Sequence, residues 1–113
     1  MELPFAQTEE AFDEIRKTAA WLTSQDKFFV ALGGEHAITA PLVAGVASVR
    51  PGVSVLQIDA HADLRDSYLG DPRSHASAMR RVLEHAPAVQ VGIRNLSAPE
   101  AEVLPSLPTT VFY

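Results

Sequence analysis

Strand-like and helix-like segments alternate along the whole chain, and that alternation limits the fold more than any other feature. From Thr8 to Thr23, Phe12, Ile15, Ala19 and Leu22 lie near one helical face. Thr8 stands where an N-cap belongs, and Glu9 and Glu10 where the helix dipole favours acids. The apolar run Phe28-Phe29-Val30-Ala31-Leu32 reads as a first strand, ended by Gly33-Gly34. Residues from Thr39 to Val49 fit a helix with Pro41 in its first turn. After the turn Pro51-Gly52, Val53 to Ile58 is a second strand rich in β-branched residues. A polar loop from Asp59 to Arg73 leads to a helix expected from Ser74 through His85, halted before Pro87. Ala88 to Ile93 is a third strand, Ser97-Ala98-Pro99-Glu100 has capping-box spacing at the start of a short helix, and Thr109 to Tyr113 begins a fourth strand. Strands separated by helices argue for βαβ units, hence a three-layer α/β domain with a parallel sheet.

The bulk properties exclude several function classes. A chain of 113 residues has the length of one small domain. Fourteen acidic residues against nine basic ones leave a charge of -5, and Arg80-Arg81 stands isolated, so no nucleic-acid footprint is present. Without cysteine there is neither a disulfide framework nor a thiolate metal site. Met1 to Phe5 lacks the basic and apolar regions of a signal peptide, and the nearly apolar stretch Ile38 to Val49 is too short to span a bilayer. A soluble cytoplasmic protein is the expectation.

The chemistry concentrates in Asp59-Ala60-His61-Ala62-Asp63, with Gly33-Gly34-Glu35-His36 upstream. Residues two apart in an extended segment point to one side, which would bring Asp59, His61 and Asp63 to one locus. Carboxylates with imidazoles favour Mn, Mg, Zn or Fe over thiolate-loving metals. In open parallel sheets ligands gather outside the carboxyl ends of the strands. Each motif directly follows an expected strand, so both should emerge at one sheet edge, with Gly33 and Gly34 allowing the sharp turn that brings His36 in. A competing reading treats the Asp59 to Asp63 segment as a polar loop that caps the next helix. Glu35 either holds His36 or serves as a capping carboxylate. Arg65 and Asp66 either reach substrate or form an exposed ion pair of little worth. Trp21 and Phe28 are expected in the core or an interface, and His85, near a helix end, is assigned no chemistry.

The combination of Gly-Gly-Glu-His, Asp-Ala-His-Ala-Asp-Leu-Arg, Ser74-His75-Ala76 and the strand Val89 to Arg94 resembles the ureohydrolase family of agmatinases and arginases, most of all its bacterial and archaeal agmatinase branch. The likeness runs from the helix near Thr8 to Tyr113, and implies an arginase/deacetylase-like three-layer fold. It further implies a binuclear manganese centre, with His36, Asp59 and Asp63 on one ion and Asp59 and His61 on the second. Two ions about 3.5–4 Å apart can share and activate a water, the ingredient that attack on a resonance-stabilised guanidinium carbon requires. His75 matches the family histidine that shuttles protons, a task suited to imidazole; its alternative is an inert, solvent-facing start of a helix. The implied reaction is hydrolysis of a linear guanidino compound, agmatine to putrescine and urea first, with formiminoglutamate or another guanidino acid as alternative substrates. A small-molecule substrate and a homo-oligomer are the implied partners.

The sequence also departs from the family. The second Asp-x-Asp pair and distal glutamate that complete the family site are missing: after Asp71 the carboxylates are Glu84, Glu100 and Glu102. Residues 1–113 therefore read as the central portion of a single ureohydrolase-like domain, an incomplete fragment carrying part of a site. The alternative is a short protein that binds metal or a partner without catalysis.

Overall fold

The structure, a computed structural model, describes residues 9–113. It opens with helix α1 (Glu9–Ser24) and helix α2 (Thr39–Val49). Strand β1 (Val55–Ile58), helix α3 (Ala78–Val82), strand β2 (Ala88–Val91), helix α4 (Ala98–Val103) and strand β3 (Thr109–Phe112) follow. The expected N-cap Thr8 lies outside the described residues. Helix α1 buries Ala11, Ile15 and Ala19, the stripe its period requires. Gly45 of α2 lies against it so closely that a Cβ there would meet the Arg16 carbonyl and come within 2.8 Å of the Ala19 Cβ.

The described strands form a parallel sheet in the order β1-β2-β3. Val55, Leu56, Gln57 and Ile58 stand opposite Ala88, Val89, Gln90 and Val91, which in turn face Thr109, Thr110, Val111 and Phe112. Side chains alternate across a strand, so Val55, Gln57, Ala88, Gln90 and Val111 share one face. That face meets the core, built from Ala62, Leu64, Met79, Val82, Ala88 and Ile93 with Val43, Leu104 and Leu107 packed against it. Leu56, Ile58, Val89, Val91 and Phe112 point the other way and are exposed. Of the three expected layers, the described residues contain the sheet and one helical layer.

Two sequence expectations change. Phe28 to Leu32 is not a strand, because a strand exists through its neighbour's hydrogen bonds and this segment pairs with none among the described residues. Phe29 tucks beside α1 and α2, while Phe28 is 95% exposed and, like Trp21, belongs to no core. The helix expected from Ser74 to His85 is a 3₁₀ turn (His75–Ser77) followed by the short α3. Ser74 makes no side-chain cap; the Asp63 carbonyl instead accepts the N–H groups of Met79 at 3.1 Å and Arg80 at 3.2 Å. The main chain of the Asp59 to Asp63 loop thereby fixes where α3 begins.

Candidate metal centre

The site is assembled at the carboxyl end of the sheet. Asp59 leaves β1 with its N–H still on the Val91 carbonyl at 3.1 Å. A bend at Ala60 then interrupts the strand, and His61 pairs with Asn95 as an isolated parallel bridge. Ala60 O accepts Arg94 N–H and Asn95 N–H, both at 2.9 Å, and Ala62 N–H donates to Asn95 O at 3.2 Å, which laces the loop to the continuation of β2. Gly92 permits this approach: its φ is +86°, and a Cβ there would sit 3.4 Å from the Asp59 carbonyl. Asp63 takes φ 52°, a left-handed conformation uncommon outside glycine and one that concentrates at functional sites.

These constraints bring three ligand groups together. One donor atom each from His36, Asp59 and Asp63 lies within 4.8 Å of the others, all three residues being half-buried. His36 Nδ1 sits 2.7 Å from Asp63 Oδ2. His36 arrives from the 3₁₀ turn at His36–Ile38, whose start is capped by Glu35 accepting the Ala37 N–H at 3.0 Å. Of the two expected roles for Glu35, the structure displays capping.

The extended segment expected to carry Asp59, His61 and Asp63 on one side is interrupted by a bend at Ala60. His61 is exposed and stands outside the three-residue group, with Nδ1 3.4 Å from Asp59 Oδ1 and its backbone N–H 2.9 Å from the same oxygen. That bend separates Asp59 from His61 and its bridge to Asn95. His61 nonetheless lines the same open cavity of about 510 Å³, as do Glu35, His36, Asp59, Asp63 and His75. His75 is exposed there, edge-on to Tyr68 with ring centroids 5.8 Å apart. Arg65 and Asp66 do not pair with each other. Arg65 lies over the Tyr68 ring at 5.2 Å, and Asp66 binds Arg81.

The electrostatics suit a cation. The hydrogen bond to Asp63 raises the His36 pKa against the opposing effect of burial, and the charges of Asp63, Asp59 and Glu35 add to it. Burial pushes Asp59 upward, but hydrogen bonds from the His61 backbone, Gln57 and the His61 ring, with the His36 charge, together hold its pKa below the ordinary carboxylate value. Two carboxylates and an imidazole within one ion's reach form a donor set that fits a hard or borderline divalent metal. Three further cavity residues, Tyr68, Asn95 and Glu100, carried no functional signal in the sequence. Topology alone gathers them, from the loop after β1, the loop after β2 and α4.

Comparison with known proteins agrees with this geometry. The family model described as "Arginase family" matches residues 1–113. The chain is 38% identical over 82 residues to an agmatinase from Bacillus cereus, covering 73% of this chain and 28% of the relative. It is 45% identical over 87 residues to an N(1)-aminopropylagmatine ureohydrolase from Thermus thermophilus, covering 76% of this chain and 30% of that protein. The crystal structure of an agmatine ureohydrolase from Thermoplasma volcanium superimposes with a TM-score of 0.84 at 30% identity, covering 99% of this chain and 38% of that one. The chain thus spans under a third of the length of these two curated relatives. The family match over residues 1–113 and the shared fold agree, and the chain belongs to the arginase family.

Proposed function

We propose that this chain contributes the metal-holding part of a manganese-dependent hydrolase acting on a C–N bond of a linear guanidino compound, agmatine giving putrescine and urea. The convergence of His36, Asp59 and Asp63 at the carboxyl end of a parallel sheet carries the proposal. His36, Asp59 and Asp63 would hold one ion, and His61, on the cavity wall beside Asp59, would join Asp59 on a second. A divalent ion there supplies Lewis acidity and eases ionisation of a water at neutral pH. Glu35, Asp59, Asp63 and Glu100 line the cavity with carboxylates, which draws in a cationic guanidinium group. His75, exposed on the same wall and edge-on to Tyr68, would pass a proton from an imidazole nitrogen to the departing amine.

N(1)-aminopropylagmatine is the second substrate reading, favoured by the 45% identity to relatives named for that reaction. Both substrates share the guanidino end that the cavity would face. A cytoplasmic location and a homo-oligomeric full-length enzyme complete the proposal. Among the described residues no helix is long and apolar enough to cross a membrane.

The test is Mn²⁺ binding by calorimetry, with urea release by this chain from agmatine, N(1)-aminopropylagmatine and arginine, each with Mn²⁺ and in a metal-free control. Mn²⁺ binding is expected, and Mn²⁺ binding without urea fits a chain that holds part of the site. A folded chain that binds no Mn²⁺, or urea released equally with and without the ion, would overturn the proposal.

A further inference from the structure

We propose that Gln57 and Gln90 are positioning residues for the metal centre: their side-chain amides form a directional hydrogen-bonded ladder across the sheet that holds the Asp59 carboxylate and the following turn. The inference rests on the metal-binding reading of His36, Asp59 and Asp63.

The ladder can be followed atom by atom. Thr109 Oγ1 on β3 donates to Gln90 Oε1 on β2 at 3.1 Å. Gln90 Nε2 donates to Gln57 Oε1 on β1 and to the Ala62 carbonyl at 2.8 Å. Gln57 Nε2 donates to Asp59 Oδ2 at 3.3 Å and to the His61 carbonyl at 3.2 Å. The orientation of each amide is dictated by its partners. The His61 and Ala62 carbonyls and the Asp59 carboxylate only accept, so both NH₂ groups must face them. Flipping either amide would set oxygen against oxygen. The two hydrogens of each amide are thereby both used, and Asp59 Oδ1 is meanwhile held by the His61 N–H at 2.9 Å.

The location argues against a merely structural pair. Gln57 and Gln90 stand opposite each other in register on the core-facing side, 8% and 0% exposed. Besides Thr109, which joins the ladder, their neighbours on that face are Val55, Ala88 and Val111, the apolar residues expected of a buried parallel strand. Apolar side chains at 57 and 90 would fill the same space without the cost of burying two amides. The amides are retained where their hydrogen bonds end on a metal ligand and on the carbonyls of the loop between two such ligands. Holding a ligand carboxylate by hydrogen bonds before the ion arrives removes the ordering cost of binding.

The test measures Mn²⁺ affinity by calorimetry, and unfolding of the metal-free protein, for wild type, Gln57→Met, Gln90→Met and Val111→Ala. Val111→Ala removes core volume beside the ladder without touching it. Gln57→Met should weaken Mn²⁺ binding by about 10–100-fold, with Gln90→Met weakening it less. Val111→Ala should lose stability while binding Mn²⁺ within about twofold of wild type. If Gln57→Met does not fold, Gln90→Met carries the same test. Folded ladder variants that bind Mn²⁺ as tightly as wild type would overturn the positioning role. A wild-type protein that binds no Mn²⁺ would overturn the metal centre itself, and the ladder's role with it.

Discussion

Replacing Glu100 with alanine should lower folding stability by about 3 kcal/mol. The Glu100 carboxylate is buried and serves two elements at once. Its Oε1 accepts the Leu64 N–H at 2.9 Å, and its Oε2 accepts the Ser97 N–H at 2.8 Å and the Ser97 hydroxyl at 2.6 Å. Leu64 is 0% exposed, so without Glu100 its N–H would have no water to turn to. Stranding a buried donor costs about 1–3 kcal/mol. The Ser97 groups are half-buried and regain solvent, so their share is the value of a helix cap, about 1 kcal/mol. For a domain of this size the sum corresponds to a fall in Tm of about 10–15 °C. Glu100→Gln keeps an oxygen for Leu64 but turns an NH₂ group toward the Ser97 donors, and should lose only about 1 kcal/mol. Urea denaturation of the three proteins should rank them wild type, Gln, Ala. An alanine variant losing less than about 1 kcal/mol, or equal losses for both variants, would refute the argument that the Leu64 N–H dominates. Because Leu64 follows Asp63 directly, the alanine variant should also bind Mn²⁺ more weakly.

Gly45→Ala would drive a methyl group into the Arg16 carbonyl and to 2.8 Å from the Ala19 Cβ. The α1–α2 pair must then separate, at about 1–3 kcal/mol by urea denaturation, and an unchanged midpoint would contradict the close contact. Asp59→Asn should cost more Mn²⁺ affinity than Arg65→Ala, measured by calorimetry; equal losses would count against Asp59 as a ligand shared between ions. The Asp63 hydrogen bond raises the His36 pKa against burial, with the charges of Asp63, Asp59 and Glu35 adding to it, so folded protein holds that proton more tightly than unfolded chain. Its contribution to metal-free stability should be complete below the ordinary value of 6.5 and fade as pH rises through the elevated one, a component of the pH–stability profile that His36→Asn should abolish.

Period and composition were enough to locate most elements. Ile15 and Ala19 on one stripe announce α1, the β-branched run before Asp59 announces β1, and Ser97 with Glu100 announces α4. What escaped depended on partners distant in sequence. Phe28 to Leu32 has strand composition, yet pairing requires a neighbour that composition does not supply. The start of α3 is set by the Asp63 carbonyl, fifteen or more residues upstream, and not by the nearby Ser74. At the site, residue types disclosed the candidate chemistry of His36, Asp59 and Asp63, while the bend at Ala60 and the left-handed Asp63, neither written in the motif, shape the loop that carries Asp59 and Asp63. Gln57 and Gln90 look unremarkable until the register sets them face to face. Glu100 was legible as a helix cap, but not as the acceptor for the loop that carries the ligands.

The alternation that places Gln57 and Gln90 under the site also separates the site from the opposite face. Leu56, Ile58, Val89, Val91 and Phe112 form a continuous apolar surface there, with Ile58, Val91 and Phe112 side by side in register. Contiguous exposed apolar surface promotes association. The hydrogen bonds to the Asp59 carboxylate, by contrast, come from Gln57 on the core-facing side, the His61 backbone and the His61 ring. The two properties should therefore be separable by mutation. Ile58 is 80% exposed, and Ile58→Thr keeps β-branching while removing apolar area, so its cost in stability should stay within about 0.5 kcal/mol. Sedimentation velocity should show weaker self-association for Ile58→Thr with Val91→Thr, while calorimetry shows unchanged Mn²⁺ affinity. A large fall in affinity, despite retained stability, would mean that the bare face communicates with the ligands through the strand backbone, and that side-chain alternation does not insulate the site.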